Sequence, residues 1–137
     1  MHTPLAARLI VQLTLILSTH NAAGWRMKRG DIYCAALDPT LGTEAQKIRP
    51  VVVVSNNAAN KASSLVTIVP LSSQIGRAYP FEVLFRAADC GLTKDSKAMA
   101  QHVRTVDKQH LNNRRSGHAS DEQLIELDAA LRLHLAL

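Results

Sequence analysis

Arg49 is the side chain with the most to offer an anionic partner. It stands directly before Pro50, and the strand-like run Val51-Val52-Val53-Val54 follows. A residue that precedes proline is held extended, and proline brings no N–H to a ladder. Arg49 is therefore fixed at a strand entrance with its guanidinium reaching outward. Such a group forks onto phosphate oxygens and keeps its charge; an ion pair with Glu44 or another acid is the competing use. Ser72-Ser73-Gln74 comes just after Pro70, at the end of a second apolar run. Its hydroxyls and amide can hold phosphate oxygens or base edges, or they can simply close a polar turn. His102 lies in Ala100-Gln101-His102-Val103-Arg104. An imidazole titrates near neutrality and can act as a general acid or base, or it can be a partly exposed structural residue. If this stretch is a strand, Gln101 points to the face opposite His102 and Arg104 to the same face.

Other chemistry finds little support. Six histidines at positions 2, 20, 102, 110, 118 and 134 form no HxH or HExxH pair, so no metal is expected. Two cysteines, Cys34 and Cys90, are too few for an all-cysteine zinc site or a disulfide scaffold. They read as reduced, inert thiols of a cytoplasmic protein. No glycine-rich phosphate loop is present, and no cofactor is expected. Asn112-Asn113-Arg114-Arg115 is basic and turn-rich, either a solvated loop or a patch that touches phosphate.

The elements that must position these residues are those of one small domain. The chain has 137 residues, 47% hydrophobic and 20% charged, enough apolar material for a packed core. Its net charge of +5 suits an anionic partner such as nucleic acid. Residues 1–26 stand apart. Leu5 to Leu17 is apolar but carries Arg8, Gln12 and Thr14, too short and too polar to span a membrane. It is expected to be a leader or upstream extension outside the fold; a secretory signal or an extra helix are the other readings. Met27 then opens a domain expected to run over 27–137.

Within it, Asp31–Leu37 predicts a first strand, and Pro50–Ser55 a strand buried on both faces. Leu65–Leu71 predicts a third. In Phe81–Phe85, Phe81, Val83 and Phe85 alternate with Glu82 and Leu84, and Lys97–Arg104 predicts a further strand. Asp38–Gly42 reads as a turn and Thr43–Ile48 as an exposed loop. The period changes at the C-terminus. Ser120-Asp121-Glu122-Gln123 is a capping box, and Leu124, Leu127, Leu131 and Leu135 then form an amphipathic helical stripe that packs on the sheet or binds a partner. The expectation is a mainly β (α+β) domain: a small antiparallel sheet or barrel with a C-terminal helix.

Six segments occur in an order that points further. Met27-Lys28-Arg29-Gly30-Asp31-Ile32-Tyr33 is followed by Leu37-Asp38-Pro39-Thr40-Leu41-Gly42-Thr43-Glu44, then Arg49-Pro50-Val51-Val52-Val53-Val54-Ser55-Asn56. Tyr79-Pro80-Phe81-Glu82-Val83, Gly91-Leu92-Thr93-Lys94-Asp95-Ser96-Lys97-Ala98 and Arg104-Thr105-Val106-Asp107-Lys108 complete the series. The string resembles the MazF/PemK family of type II toxin–antitoxin ribonucleases, over 27–137 and not over 1–26. The resemblance implies an SH3-like β barrel that acts as a homodimer. It implies metal-independent cleavage of single-stranded RNA at short sequences, by attack of the 2′-hydroxyl on the adjacent phosphorus, leaving a 2′,3′-cyclic phosphate and a 5′-hydroxyl. It implies a cognate antitoxin as protein partner, and no membrane. The family's catalytic Arg, Thr and loop Glu fall on Arg49, Ser72 and Glu44, so Thr is here replaced by Ser. Ser73, Gln74, Gln101, His102 and Arg104 are the candidate RNA contacts. Relatives often carry an acid and then Gln where this chain has Gln101-His102. That change implies an altered base preference, proton transfer by His102, or weakened turnover. Glu44 or His102 could be the general base. Two other functions share this architecture: a gyrase poison that cuts nothing, and an RNA-binding relative without turnover.

Overall fold

The computed structural model describes residues 26–37 and 48–137. The expected leader over 1–26, the turn at 38–42, most of the exposed loop and Glu44 lie outside the described residues, apart from Arg26.

The strands are β1 (Asp31–Ala36), β2 (Ile48–Val53), β3 (Leu65–Ser72), β4 (Glu82–Phe85), β5 (Ser96–Met99), β6 (Arg104–Asp107) and β7 (Gly117–His118). The helices are α1 (Asn57–Ala62), α2 (Ala87–Cys90) and α3 (Asp121–Leu135). The seven described strands run in the order β4-β5-β3-β2-β1-β7, with β6 also paired to β3. All pairings are antiparallel. β3 is the hinge of the arrangement. Its first half, Leu65–Ile68, pairs with β6, and its last two residues, Leu71 and Ser72, pair with β5. β2 occupies its other edge through Ile68, Val69 and Pro70. One edge of β3 thus serves two successive strands, and the sheet curls into a half-barrel.

That sharing explains a departure from expectation. Lys97–Arg104 is not one strand, because a 3₁₀ turn over Ala100–His102 separates β5 from β6. The turn lets the chain leave the end of β3 and rejoin it further back. It is held by Ala100 N–H donating to Phe81 O (3.1 Å) and by Val103 N–H donating to Ala100 O (3.1 Å). His102 is therefore exposed on a turn, and the face relation expected for Gln101 and Arg104 does not hold.

The valine run of β2 is buried on both faces, as expected: Val51, Val52 and Val53 are all inaccessible. Val52 joins Ile32, Val69, Phe85 and Leu127 in one core. Val51 and Val53 join Tyr33, Ile68 and Val106 in a second core on the other side of the sheet. Met27 is buried in that second core, so the packed domain reaches back to it. β2 begins at Ile48, earlier than expected.

α3 closes the first core. Its N-terminus carries the expected capping box: Ser120 Oγ accepts from Gln123 N–H (3.1 Å), and Gln123 Oε1 accepts from Ser120 N–H (2.9 Å). Asp121 and Glu122 sit at the positive end of the helix dipole. The expected stripe holds only in part. Leu127 is fully buried and Leu124 and Leu131 are half-buried, but Leu135 is exposed. The helix overruns the sheet, and Leu133 and Leu135 in its last turn stay exposed. Its buried line runs instead through Gln123, Leu127 and Ala130.

Candidate functional site

The register of the sheet brings Arg49 and Ser72 together. Val51 lies opposite Pro70 and Val52 opposite Val69 across β2 and β3. Continued by two residues, the same register sets Arg49 opposite Ser72. On the far side of β3, Ser72 lies opposite Lys97. Arg49, Ser72 and Lys97 therefore form one row across three strands. Residues in register share a face of the sheet, so all three project to the same side. The row holds two basic side chains and a hydroxyl, of which Arg49 and Ser72 are groups that can bind an oxyanion.

This row forms part of the wall of an open groove of about 710 Å³, which Ser73, Gln74 and Lys94 also line. Arg49 and Ser72 are half-buried. Ser72 Oγ accepts from Gln74 N–H (3.2 Å), a serine turn that fixes the strand end. Because the oxygen accepts there, the hydroxyl hydrogen is left available to donate. The polar triplet singled out in the sequence thus serves both readings at once, a turn and a site wall.

Lys97 is the groove cation that sequence reasoning missed. Its ammonium donates to Arg77 O (2.7 Å) and to Glu82 Oε1 (3.2 Å). Glu82 alternates with Val83 and Phe85 as expected, and its carboxylate is almost wholly buried. Besides Lys97 it receives Tyr79 N–H (3.0 Å) and Gln101 Nε2–H (2.8 Å). Burial pushes the Glu82 carboxyl up, but the hydrogen bonds from Tyr79, Gln101 and Lys97 and the Lys97 charge together outweigh it. Glu82 is held below its ordinary value and stays ionised. A buried carboxylate is tolerable only with such partners. Gln101 Oε1 is buried and makes no hydrogen bond among the described residues. The clue to this network was present as an alternation: Glu82 falls on the face opposite Val83 and Phe85, and Lys97 on the face opposite Ala98.

The remaining candidates are elsewhere. Ser73 and Gln74 line the groove. Gln101 stands behind it, tied to Glu82, and His102 is exposed on the 3₁₀ turn. Arg104 lines a separate cavity of about 170 Å³ with Leu37, Thr105, Val106, Asp107 and His110. Glu44 lies outside the described residues. Of the basic loop, Arg115 reaches the buried Asp31 carboxylate (3.2 Å), which also bonds His118 Nδ1 (2.8 Å). That cluster pins β1 to β7, away from the groove.

The sequence and the fold have counterparts among known proteins. Residues 28–135 match the family described as PemK-like, MazF-like toxin of type II toxin-antitoxin system. The chain is 43% identical over 116 residues to Endoribonuclease MazF9 of Mycobacterium tuberculosis (strain ATCC 25618 / H37Rv), covering 81% of this chain and 98% of that protein. It is 37% identical over 112 residues to Endoribonuclease EndoA of Bacillus subtilis (strain 168), covering 81% and 96%. Among solved structures, an endoribonuclease in complex with its cognate antitoxin from a mycobacterial species superposes with a TM-score of 0.65 at 27% identity, covering 80% of this chain and 95% of that one.

Proposed function

The chain belongs to the PemK-like, MazF-like toxin family of type II toxin–antitoxin systems, and on that premise we propose that it is an endoribonuclease that cuts single-stranded RNA in the groove walled by Arg49, Ser72 and Lys97. The observation that carries this reading is the row itself. Arg49, Ser72 and Lys97, in register on three adjacent strands, line one open groove.

The chemistry follows from the groups available. RNA supplies its own nucleophile, the 2′-hydroxyl. Its oxygen attacks the neighbouring phosphorus, the P–O5′ bond breaks, and the products are a 2′,3′-cyclic phosphate and a 5′-hydroxyl. Negative charge gathers on the nonbridging oxygens of the phosphorane, where preorganised donors count most. Arg49 supplies a charged fork, and Ser72 supplies a hydroxyl already held by its turn. Ser72 keeps the hydroxyl of the family's Thr and lacks only a methyl, so the donor survives the exchange. Lys97 adds positive charge without leaving Glu82. Glu44, which the family resemblance places among the catalytic residues, and His102 are the two candidate bases. No metal enters this scheme.

Ser73 and Gln74, at the turn after β3, are the base- and sugar-reading candidates on the groove wall. A cognate antitoxin is the protein partner, and two copies of the chain form the working dimer. Both RNA and antitoxin are met in the cytoplasm; no helix among the described residues is long and apolar enough to cross a membrane.

The test is cleavage of a long, sequence-diverse single-stranded RNA in EDTA, beside an Arg49→Ala control. Discrete fragments with 5′-hydroxyl ends, absent with Arg49→Ala, are the expected result. RNA left intact by the parent chain overturns the reading. Ser72→Ala is expected to slow cleavage about 10²-fold, the usual cost of one oxyanion donor. Light scattering at micromolar concentration should give twice the chain mass.

A further inference from the structure

The chain is poor in aromatic residues, and their placement is uneven. Tyr33 and Phe85 are buried in the two cores. Tyr79 and Phe81, in contrast, lie on the surface segment between β3 and β4, with Tyr79 44% exposed. Their rings are stacked, 5.5 Å apart and 7° from parallel. The Arg77 guanidinium carbon stands 5.1 Å from the centre of the Tyr79 ring. His134 of α3 backs Phe81 at 6.3 Å. Arg77, Tyr79 and Phe81 thus form a column at the molecular surface, with the His134 ring tilted by 51° against its Phe81 end.

The column is anchored to the groove. Arg77 O receives a hydrogen bond from Lys97, and Tyr79 N–H donates to Glu82. Glu82 N–H in turn donates to Tyr79 O (2.8 Å), closing a tight turn. The Glu82–Lys97 pair at the groove wall therefore holds both ends of the Arg77–Tyr79 segment. Nothing in the packing of the sheet requires two stacked rings outside the cores.

We infer that this column is a base-stacking platform, which receives a nucleobase of the single-stranded RNA where the strand passes beyond the groove. The inference rests on the endoribonuclease reading above. Unpaired bases stack on aromatic rings and on Arg guanidinium planes, and such stacking adds affinity with little preference for sequence. Arg77 serves twice, as a planar surface and as a charge for the adjoining phosphate. His134 and Phe81 keep the Tyr79 ring from being a lone mobile side chain, so little ordering is left for RNA binding to impose. The platform adds binding remote from the reacting phosphorus, so its loss should raise KM and spare kcat.

The experiment compares Tyr79→Ala and Tyr79→Trp in the full chain with the parent. With the long RNA, Tyr79→Ala is expected to raise KM about tenfold, the usual loss for one stacked base, while kcat is held. Tyr79→Trp is expected to restore KM. In an Arg49→Ala, Trp25→Phe background, which leaves the introduced indole as the one tryptophan, its fluorescence should fall as a mixed-sequence single-stranded RNA binds, tracked in parallel by anisotropy of labelled RNA. Circular dichroism melts establish that each variant is folded, and the Tyr79→Trp titration carries the test if Tyr79→Ala is not. A KM within twofold of the parent in folded Tyr79→Ala, or an indole that stays bright while RNA is bound, overturns the platform. Cleavage by the parent chain in that same experiment leaves the endoribonuclease reading standing. A parent chain that neither cuts nor binds RNA overturns both.

Discussion

The two ends of β3 carry the same alternation and put it to opposite uses. Val66, Ile68, Pro70 and Ser72 project to one face of the sheet. At the first end, Val66 and Ile68 are sealed under the second core beside Val106 of β6. At the other end β5 replaces β6, no apolar element among the described residues covers that face, and Ser72 meets Arg49 and Lys97 in an open groove. The site is thus the continuation of a core row past the point where its cover ends. Its side chains inherit the fixed register of the buried half, which is how a surface row can be preorganised without a core of its own. The division also separates what each end is for, and that separation can be tested.

The largest effect should come from the open end. Arg49→Ala removes the charged fork and is expected to lower the cleavage rate about 10³-fold, in line with loss of a principal charge stabiliser. Its melting temperature should stay near that of the parent, since Arg49 is only half-buried and packs in neither core. A variant that melts early would erase the contrast between the two ends. The covered end should behave the other way. Ile68→Ala, at a fully buried position, is expected to cost about 3 kcal/mol of stability in a urea titration. Its rate per folded molecule should match the parent.

A third variant sharpens the boundary from a distance. Gly117 of β7 lies so close to the Cys90 carbonyl that an added Cβ would sit 2.2 Å from its oxygen. Gly117→Ala must push β7 from α2, and both partners there are backbone. About 2 kcal/mol of destabilisation is expected by chemical denaturation, with the groove residues untouched.

How much of this was legible in the sequence depends on whether a feature is local. The valine run, the capping box and the strand at Asp31 are written in short windows, and all three stand as expected. Arg49 and Ser72 could be named as candidates from neighbouring prolines and strand ends, and from family resemblance. Their opposition across β2 and β3 is a matter of register, which no single window carries. Lys97 was lost for that reason, as was the 3₁₀ turn that splits β5 from β6. The sequence 97–104 has no glycine or proline to mark the break. The turn exists because β3 has one free edge and two strands to serve. Leu135 failed differently. Its spacing is right for the stripe, but the sheet ends before the helix does.

The smallest effect, and the finest probe of how the open end is held, is the pH dependence of Glu82. Burial and hydrogen bonding oppose one another there, so only their difference reaches stability. The carboxyl is held below its ordinary value of 4.5, so the unfolded chain takes up a proton before the folded one does. Glu82 therefore contributes stability that is fully present above that ordinary value and is lost as pH falls through the folded one. Glu82→Gln should remove this part of the acid sensitivity, so that the gap between parent and variant in urea midpoint narrows on going from pH 7 to acid. The same substitution leaves Lys97 without its buried counter-charge while preserving a hydrogen-bonding side chain of equal size. KM for RNA should then shift at neutral pH, because the Lys97 ammonium loses its charged anchor at the groove wall and keeps only Arg77 O. A variant whose midpoint runs parallel to the parent from neutral to acid pH, with KM unchanged, would show that the row is positioned by strand register alone and that the Glu82 network beneath it is not needed to hold Lys97.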